Sequence, residues 1–216
     1  MALIRSVFQE ELDGVSQSLV DLTNMVSDSI QKATHALISA DLKLAEEVIT
    51  NDEKVDNYQH DLDSRIIDII ARQQPVASDL RALVTALRMS ADLERMGDLA
   101  HHVAKLVRLR HPESAVPAEL LALVEAIGET AEKIATKTGV VISTRDVALA
   151  AQVEKDDDEM DMLHRKLIST LVEPSWPHGV ETAIDLTLLG RYYERYADHA
   201  VSVARRVIFL VTGKFA

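Results

Sequence analysis

Residues 91–100 read ADLERMGDLA, and residues 191–200 read RYYERYADHA. Both stretches carry Glu-Arg, two residues, then Asp, so Glu94 and Asp98 recur as Glu194 and Asp198 one hundred positions later. The i, i+4 spacing of each pair stacks the two carboxylates on one face of an α helix. The repeat indicates a duplicated helical unit.

The acidic pattern extends to an earlier segment in each half. The segments NDEKVDNYQ and KDDDEMDML carry, again at i and i+4, Asp52 with Asp56 and Asp157 with Asp161. Two carboxylates at this spacing repel each other and lower helix stability unless a positive charge offsets them. A single charge run is usually a solvated helix surface. The recurrence in both halves favours a binding site.

Within each half, the acids lie at equal distances from a proline-containing break. Pro75 stands midway between the two acidic pairs of the first half, and Trp176-Pro177-His178 stands midway between those of the second. In an antiparallel helical hairpin, residues equidistant from the turn lie at the same height. Each half is therefore expected to bring four acids to one level of two adjacent helices. The rotation of each helix, which decides whether the acids face each other, does not follow from spacing.

The rest of the sequence predicts an all-α protein of six long helices. Aromatic residues make up 4% of the chain, and Gly and Pro number 7 and 5, too few for the many turns of a β protein. Apolar residues from Ile4 to Leu37 recur every three or four positions, which is the period of an amphipathic helix. Asp41 or Ser39 is the expected N-cap of the second helix. The expected helices cover about residues 1–40, 41–74, 77–110, 117–143, 144–172 and 180–211, with Ser143 or Thr144 capping the fifth and Gly213 ending the sixth.

Composition excludes several classes of function. The net charge of −12 argues against nucleic-acid binding, which needs clustered Lys and Arg. The absence of Cys excludes disulfides, thiolate zinc sites and Cys nucleophiles. No segment approaches the roughly 20 apolar residues of a transmembrane helix, and the first residues do not resemble a signal peptide. We therefore expect a cytoplasmic protein without a transmembrane segment.

Clustered carboxylates without Cys are typical ligands of hard cations such as Mg²⁺, Mn²⁺ or iron. Five histidines stand close enough in sequence to join the acids: His60, His101, His102, His164 and His199.

The segments DLERMGDLA and YYERYADHA, each following a proline-containing hairpin, resemble the PhoU family of phosphate-uptake regulators. The resemblance extends over the whole chain. It implies two tandem three-helix bundles, residues 1–112 and 113–216, related by pseudo-twofold symmetry. It also implies a non-enzymatic cytoplasmic adaptor and homodimer that negatively regulates phosphate uptake and the phosphate-starvation response. Its implied partners are a sensor histidine kinase and the ATPase subunit of a phosphate ABC transporter.

Some members of this family carry metal clusters on E/D-x-x-x-D motifs. The resemblance therefore implies Fe, Mn, Mg or Zn ions at both acidic groups. The implied metal ligands are Asp52, Asp56, Glu94, Asp98, Asp157, Asp161, Glu194 and Asp198. The two halves diverge just after their first turns, where Asp79 and Arg81 correspond to Gly179 and Glu181, so the two sites are not expected to be equal.

Two other classes fit a helical bundle with paired acids. A carboxylate-bridged di-metal oxidase needs Glu-x-x-His on two helices and Glu from two others. Here Gly97 and Ala197 follow Glu94 and Glu194 at the third position, which argues against that enzyme. A purely structural helical scaffold with unoccupied acidic patches is the remaining alternative.

Overall fold

The computed structural model describes residues 2–214, with side chains from Val7 to Lys214. Within that range the chain forms six α helices, one short 3-10 turn and no strand. The helices are α1 (Ala2–Ser39), α2 (Leu42–Gln73), α3 (Ala77–Arg110), α4 (Leu121–Thr144), α5 (Val147–Leu171) and α6 (Gly179–Thr212), and the turn is Ala118–Leu120. The predicted all-α class with six long helices is confirmed.

Most helix ends follow the local chemistry that the sequence predicts. The Asp41 carboxylate accepts a hydrogen bond from the backbone N–H of Leu44 at 3.0 Å, which is the action of an N-cap. Gly213 ends α6 with a φ of 72°, in the left-handed region that glycine adopts without strain. Pro117 precedes the 3-10 turn, so α4 begins four residues later than expected.

The expected cap of α5 is wrong. Asp146 caps this helix, and its carboxylate accepts hydrogen bonds from the backbone N–H groups of Ala148 and Leu149 at 2.8 and 3.0 Å. Ser143 and Thr144 stay in the last turn of α4, where both hydroxyls donate to the carbonyl of Val140. Both residues keep the helical backbone of α4, whereas Asp146 has the extended backbone of an N-cap, with φ −76° and ψ 110°.

Two sets of three helices share a single core. Helix α1 packs against α2 and α3, α4 packs against α5 and α6, and the sets meet through α1–α4 and α3–α6 contacts. The buried apolar side chains form one cluster that runs through both sets. The sets correspond to the expected units 1–112 and 113–216, whereas their division into separate domains stays a prediction. None of the helices in the described range has the length and apolar character needed to cross a bilayer.

Two tyrosines of the second repeat motif join α6 to α1 through the interior. Tyr193 and Tyr196 are fully buried. The hydroxyl of Tyr193 lies 2.7 Å from Oγ1 of Thr34. The hydroxyl of Tyr196 donates to the carbonyl of Val26 at 3.0 Å. Both buried hydroxyls are thus satisfied, and this part of the motif stabilises the fold.

Candidate metal sites

The first acidic group lies between α2 and α3. The turn that contains Pro75 reverses the chain, so Asp52 and Asp56 on α2 reach the level of Asp98 on α3. One carboxylate oxygen from each of these three residues lies within 4.8 Å of the other two. Three of the four acids expected at this level therefore converge.

Gly97 permits the close approach of the two helices at this point. A Cβ atom at Gly97 would lie 3.0 Å from Cγ1 of Val55 and 3.7 Å from Oδ1 of Asp52. Helix α2 therefore rests against the backbone of α3 where the acids meet. A side chain at position 97 would press against Val55 and crowd the Asp52 carboxylate.

Glu94, the fourth acid of this half, is half-buried beside the other three. Burial, and then Asp98, raises the pKa of Glu94 above its usual range, although Arg95 acts in the opposite direction. Burial, and then Asp52 and Asp98, likewise raises the pKa of Asp56. Arg95 contacts Asp98 at 2.6 Å and Glu94 at 3.6 Å. The raised pKa values of Glu94 and Asp56 reflect burial first and then repulsion between carboxylates, and a bound cation would relieve the repulsion.

His101 lies directly against the first acidic group. Its Nδ1 atom forms a hydrogen bond with Oδ2 of Asp52, and its Nε2 atom is buried without a hydrogen-bond partner. In the described part of the chain, it is the one candidate histidine that hydrogen-bonds an expected metal ligand. It therefore orients the Asp52 carboxylate at the first group.

The other four candidate histidines do not join the acids. His102 is exposed and stacks on the ring of Tyr192, with ring centroids 5.1 Å apart. His199 faces α3 across the boundary between the two sets of helices. His60 is exposed, and His164 packs against α6, where its Cδ2 atom would lie 2.9 Å from a Cβ atom at Gly190.

The second acidic group lies between α5 and α6. Burial, and then the charges of Asp161, Asp198, Asp158 and Glu194, together raise the pKa of Asp157 to about 6. The Oδ1 atom of Asp157 is buried and has no hydrogen-bond partner. The four acids expected in this half therefore influence one another, and Asp157 carries the least compensated charge.

The second group differs from the first in two ways. Val201 stands where the first repeat has its imidazole, so Asp157 lacks the partner that Asp52 has. Arg191 pairs with Glu194 and holds that carboxylate on α6. Among side chains 7–214, no three acids of this half converge within 4.8 Å as those of the first do. Spacing predicted the level of these residues, but their neighbours decide the direction of each carboxylate.

Asp92 is an ionic centre that the sequence analysis missed. It lies on α3 and accepts hydrogen bonds from three residues of α6: His199 at 3.0 Å, Ser202 at 2.9 Å and Arg206 at 3.0 Å. Burial raises the pKa of Asp92, but these hydrogen bonds outweigh it and leave the pKa below its usual range. The sequence carries one sign of this role: Tyr192 occupies the position equivalent to Asp92, so this acid is present in the first repeat and absent from the second.

The donor set of both groups suits a hard cation, because carboxylate oxygens are the ligands that Mg²⁺, Mn²⁺ and oxidised iron prefer. His101 lies beside the first group and hydrogen-bonds Asp52, but its nitrogens are not among the convergent ligand atoms. The Glu-x-x-His pairs of a di-metal oxidase are absent from the sequence, and nothing in the geometry favours that enzyme.

Comparison with known proteins identifies a family. The sequence model of the PhoU domain matches residues 19–107 and 124–207. A Mycobacterium leprae protein named phosphate-specific transport system accessory protein PhoU homolog 1 is 45% identical over 212 residues, 98% of this chain and 96% of that protein. PhoU homolog 2 of Mycobacterium tuberculosis is 44% identical over 98% of this chain and 100% of its own length.

Solved structures show the same fold. A crystal structure of PhoU from Pseudomonas aeruginosa matches with a TM-score of 0.83 and 30% identity, over 96% of this chain and 100% of that one. The phosphate transport system regulatory protein PhoU from Streptococcus pneumoniae matches with a TM-score of 0.87, over 97% and 99%. The sequence relatives are named as accessory proteins of a phosphate-specific transport system, which agrees with the predicted non-enzymatic character.

Proposed function

The chain belongs to the PhoU family, and on that premise we propose that it is a regulatory accessory protein of a phosphate-specific transport system. The observation that carries this proposal is the identity of 45% with a protein of that name, over nearly the whole of both chains. An identity at that level, together with the paired acidic motifs in both halves, supports a shared role more strongly than the fold alone would.

We further propose that the protein lowers phosphate uptake and the phosphate-starvation response when phosphate is ample. In this role it links the ATPase subunit of a phosphate ABC transporter to a sensor histidine kinase. It acts in the cytoplasm as a homodimer. The regulatory direction, the two partners and the homodimer are all proposed from the resemblance to the PhoU family.

We also propose that both acidic groups bind metal ions. The residues fit a cation: three carboxylates converge at the first group, and a buried carboxylate oxygen without a partner marks the second. An ion would supply positive charge to side chains that otherwise repel. Asp52, Asp56, Glu94 and Asp98 would hold it between α2 and α3. Asp157, Asp161, Glu194 and Asp198 would hold it between α5 and α6.

The regulatory role is tested with a phosphate-responsive reporter, such as alkaline phosphatase output, in cells that lack this gene. In ample phosphate we expect high output in the mutant and low output after the intact gene is restored. Unchanged output in a strain without a second copy of the gene would contradict the proposal. Asp52→Asn with Asp157→Asn, introduced into the same strain, then tests the acidic groups, with the exposed Asp61→Asn as the matched control on α2.

The metal sites are tested by thermal unfolding with and without Mn²⁺. An ion at one hundred times its dissociation constant stabilises the folded state by about 2.7 kcal/mol. That corresponds to a rise in Tm of roughly 5–10 °C for a chain of this size. We expect Glu94→Ala to reduce the rise and Asp61→Asn to leave it intact. Equal responses of wild type and Glu94→Ala would remove Glu94 from the site.

A further inference from the structure

A groove on the surface joins the beginning of α3 to the end of α6. Its walls include Leu80, Arg81, Val84 and Arg88 from α3 and Phe209 from α6, and they enclose about 380 Å³. The groove lies apart from both acidic groups and uses none of their residues. We call it the α3–α6 groove.

The α3 side of this groove is an exposed apolar row. Val76, Leu80 and Val84 stand four residues apart and are 74, 38 and 39% exposed. A spacing of four places Leu80 and Val84 on one face of α3. Apolar side chains left open in a row at the edge of a groove are typical of a surface that a partner covers.

Two arginines flank the apolar row. Arg81 and Arg88 are both exposed, and they lie two helical turns apart on α3. The guanidinium of Arg81 lies over the ring of Phe209, 5.4 Å from its centroid. No carboxylate among the described side chains forms a salt bridge with Arg81 or Arg88. The two charges flank an exposed apolar row, and within the described residues they remain available to an acidic partner.

We propose that the α3–α6 groove docks an amphipathic helix of a partner protein, with acidic residues on both edges of its apolar face. Leucine-type side chains at i, i+3 and i+7 of that helix would enter the groove, and its acids would meet Arg81 and Arg88. This is the common mode in which a groove recognises a helix. Opposite charges at the edges would fix the orientation and raise the association rate.

The shape and charge of the surroundings favour a helix over an anionic membrane. A groove between two helices is concave and receives a row of side chains, whereas a bilayer presents a flat surface. The chain carries 35 acids against 23 bases, so an anionic bilayer would repel most of the molecule. A helix confined to the groove would meet mainly the two arginines.

The repeat supplies an internal control. The equivalent groove at the other end of the α3–α6 contact is lined by Lys105, Leu109, Leu188 and Tyr192. Glu181 stands there in place of Arg81, and it pairs with Arg110 at 2.5 Å. This second groove therefore lacks the two unpaired arginines, and the proposed helix should not bind it.

Photo-crosslinking in living cells tests the proposal. Benzoylphenylalanine replaces Val84 in one strain and Leu188, in the second groove, in the other. We expect the probe at position 84 to attach to a partner segment whose sequence is an acidic amphipathic helix. Arg81→Glu with Arg88→Glu should lower the yield roughly tenfold, and Lys105→Glu should not. Replacing the acids of the captured helix by Arg should restore crosslinking to the charge-reversed protein.

Other outcomes overturn the proposal. They are crosslinks that survive charge reversal, attachment to a second copy of this chain, lipid adducts with binding to phosphatidylglycerol vesicles, and no adduct at position 84. Both arginines are exposed, so the variants should fold, and circular dichroism checks this. The proposal rests on the accessory role. If the reporter responds as expected but no adduct forms at position 84, the groove proposal is refuted and the phosphate role stands. If a charge-dependent adduct forms but the reporter output is unchanged, the phosphate role is refuted and the groove proposal stands.

Discussion

At the scale of single residues, the two acidic groups differ in how their charge is balanced. Asp52 has His101 as a hydrogen-bond partner, and Arg95 contacts Asp98 in the same group. Asp157 has neither, and its pKa is raised to about 6 by burial and by the acids around it. The carboxylate that most destabilises the metal-free fold is therefore Asp157, in the second group, whereas the convergent carboxylates of the first group are partly compensated.

Replacing Asp157 by Asn should stabilise the metal-free protein at pH 7.5. The folded state binds the Asp157 proton more tightly than the unfolded state, so ionisation destabilises the fold as pH rises from about 4 to about 6. Solvent screens this half-buried group, so we expect a gain of about 1 kcal/mol, or roughly 2–4 °C in Tm. The gain should vanish at pH 3.5, where the carboxyl is protonated in both states.

Thermal unfolding at both pH values, with chelator present, measures the effect. The exposed neighbour Asp158→Asn is the matched control and should change Tm much less. A lower Tm for Asp157→Asn at pH 7.5 would show that its charge is compensated after all.

At the scale of helices, the contacts between the two sets depend on a few polar and small residues. Asp92 joins α3 to α6 through three hydrogen bonds. On α4, two glycines face α1: a Cβ at Gly128 would lie 2.2 Å from Cγ2 of Thr34, whereas one at Gly139 would lie 3.5 Å from Cγ2 of Thr23. The Thr34 hydroxyl lies within hydrogen-bond distance of Tyr193, which restricts its movement. Substitution of Asp92 should therefore weaken the α3–α6 contact, and substitution of Gly128 should weaken the α1–α4 contact.

Asp92→Asn should destabilise the protein by about 1–3 kcal/mol at pH 7, because hydrogen bonds to a charged acceptor are lost. The pKa of Asp92 is lowered in the folded state, so its contribution is present above the usual pKa of Asp. That contribution is lost as pH falls through the lowered value, and the difference between variant and wild type should shrink toward pH 3. Urea unfolding at pH 7 and pH 3 measures it. Arg205→Gln, which removes the exposed Arg205–Glu154 pair, should have a smaller effect.

Gly128→Ala and Gly139→Ala should have opposite effects on stability. At Gly128 the new methyl group overlaps Thr34, and the resulting shift should lower the free energy of unfolding by about 1–3 kcal/mol. At Gly139 the methyl group finds ordinary contact distance, and the higher helix propensity of Ala should add up to about 1 kcal/mol. Urea unfolding of the two variants compares them directly. Equal effects would mean that α4 moves away from α1 without loss of packing.

At the scale of the whole molecule, the two repeats cannot be separated without exposing their cores. The α1–α4 and α3–α6 contacts bury apolar faces of four helices in one continuous cluster. Tyr193 and Tyr196 on α6 complete the packing of α1, which belongs to the other repeat. The acidic groups and the α3–α6 groove lie outside this interior, so they can change charge or bind a partner while the core stays packed.

We therefore expect the intact chain to unfold in a single calorimetric transition. Residues 1–112 alone should aggregate or stay partly unfolded, because the apolar faces of α1 and α3 would lose α4 and α6. The calorimetric and van't Hoff enthalpies of the intact chain should agree. Two separate transitions, or a stable and monomeric 1–112 fragment, would show that the halves are independent domains.

The class of fold, the number of helices and the level of each acidic pair along its helical hairpin follow from the sequence alone. These features depend on local physics: the 3.6-residue period, the proline and glycine breaks, and the equal distances from each turn. Ser143 and Thr144 show the limit of that reasoning even for a helix end, because α4 continues through both residues and the extended backbone of an N-cap begins only at Asp146.

The packing of the helices against one another sets which carboxylates converge and which residues join the two repeats. Asp52, Asp56 and Asp98 meet because α2 packs closely against α3 at Gly97. The Glu194 carboxylate instead forms an ion pair with Arg191 of its own helix. Asp92 is an ionic centre because α6 packs beside α3 and supplies all three of its hydrogen-bond donors. The rotation of each helix and the partner of each side chain depend on contacts between distant segments, and the spacing of residues along one helix carries no information about them.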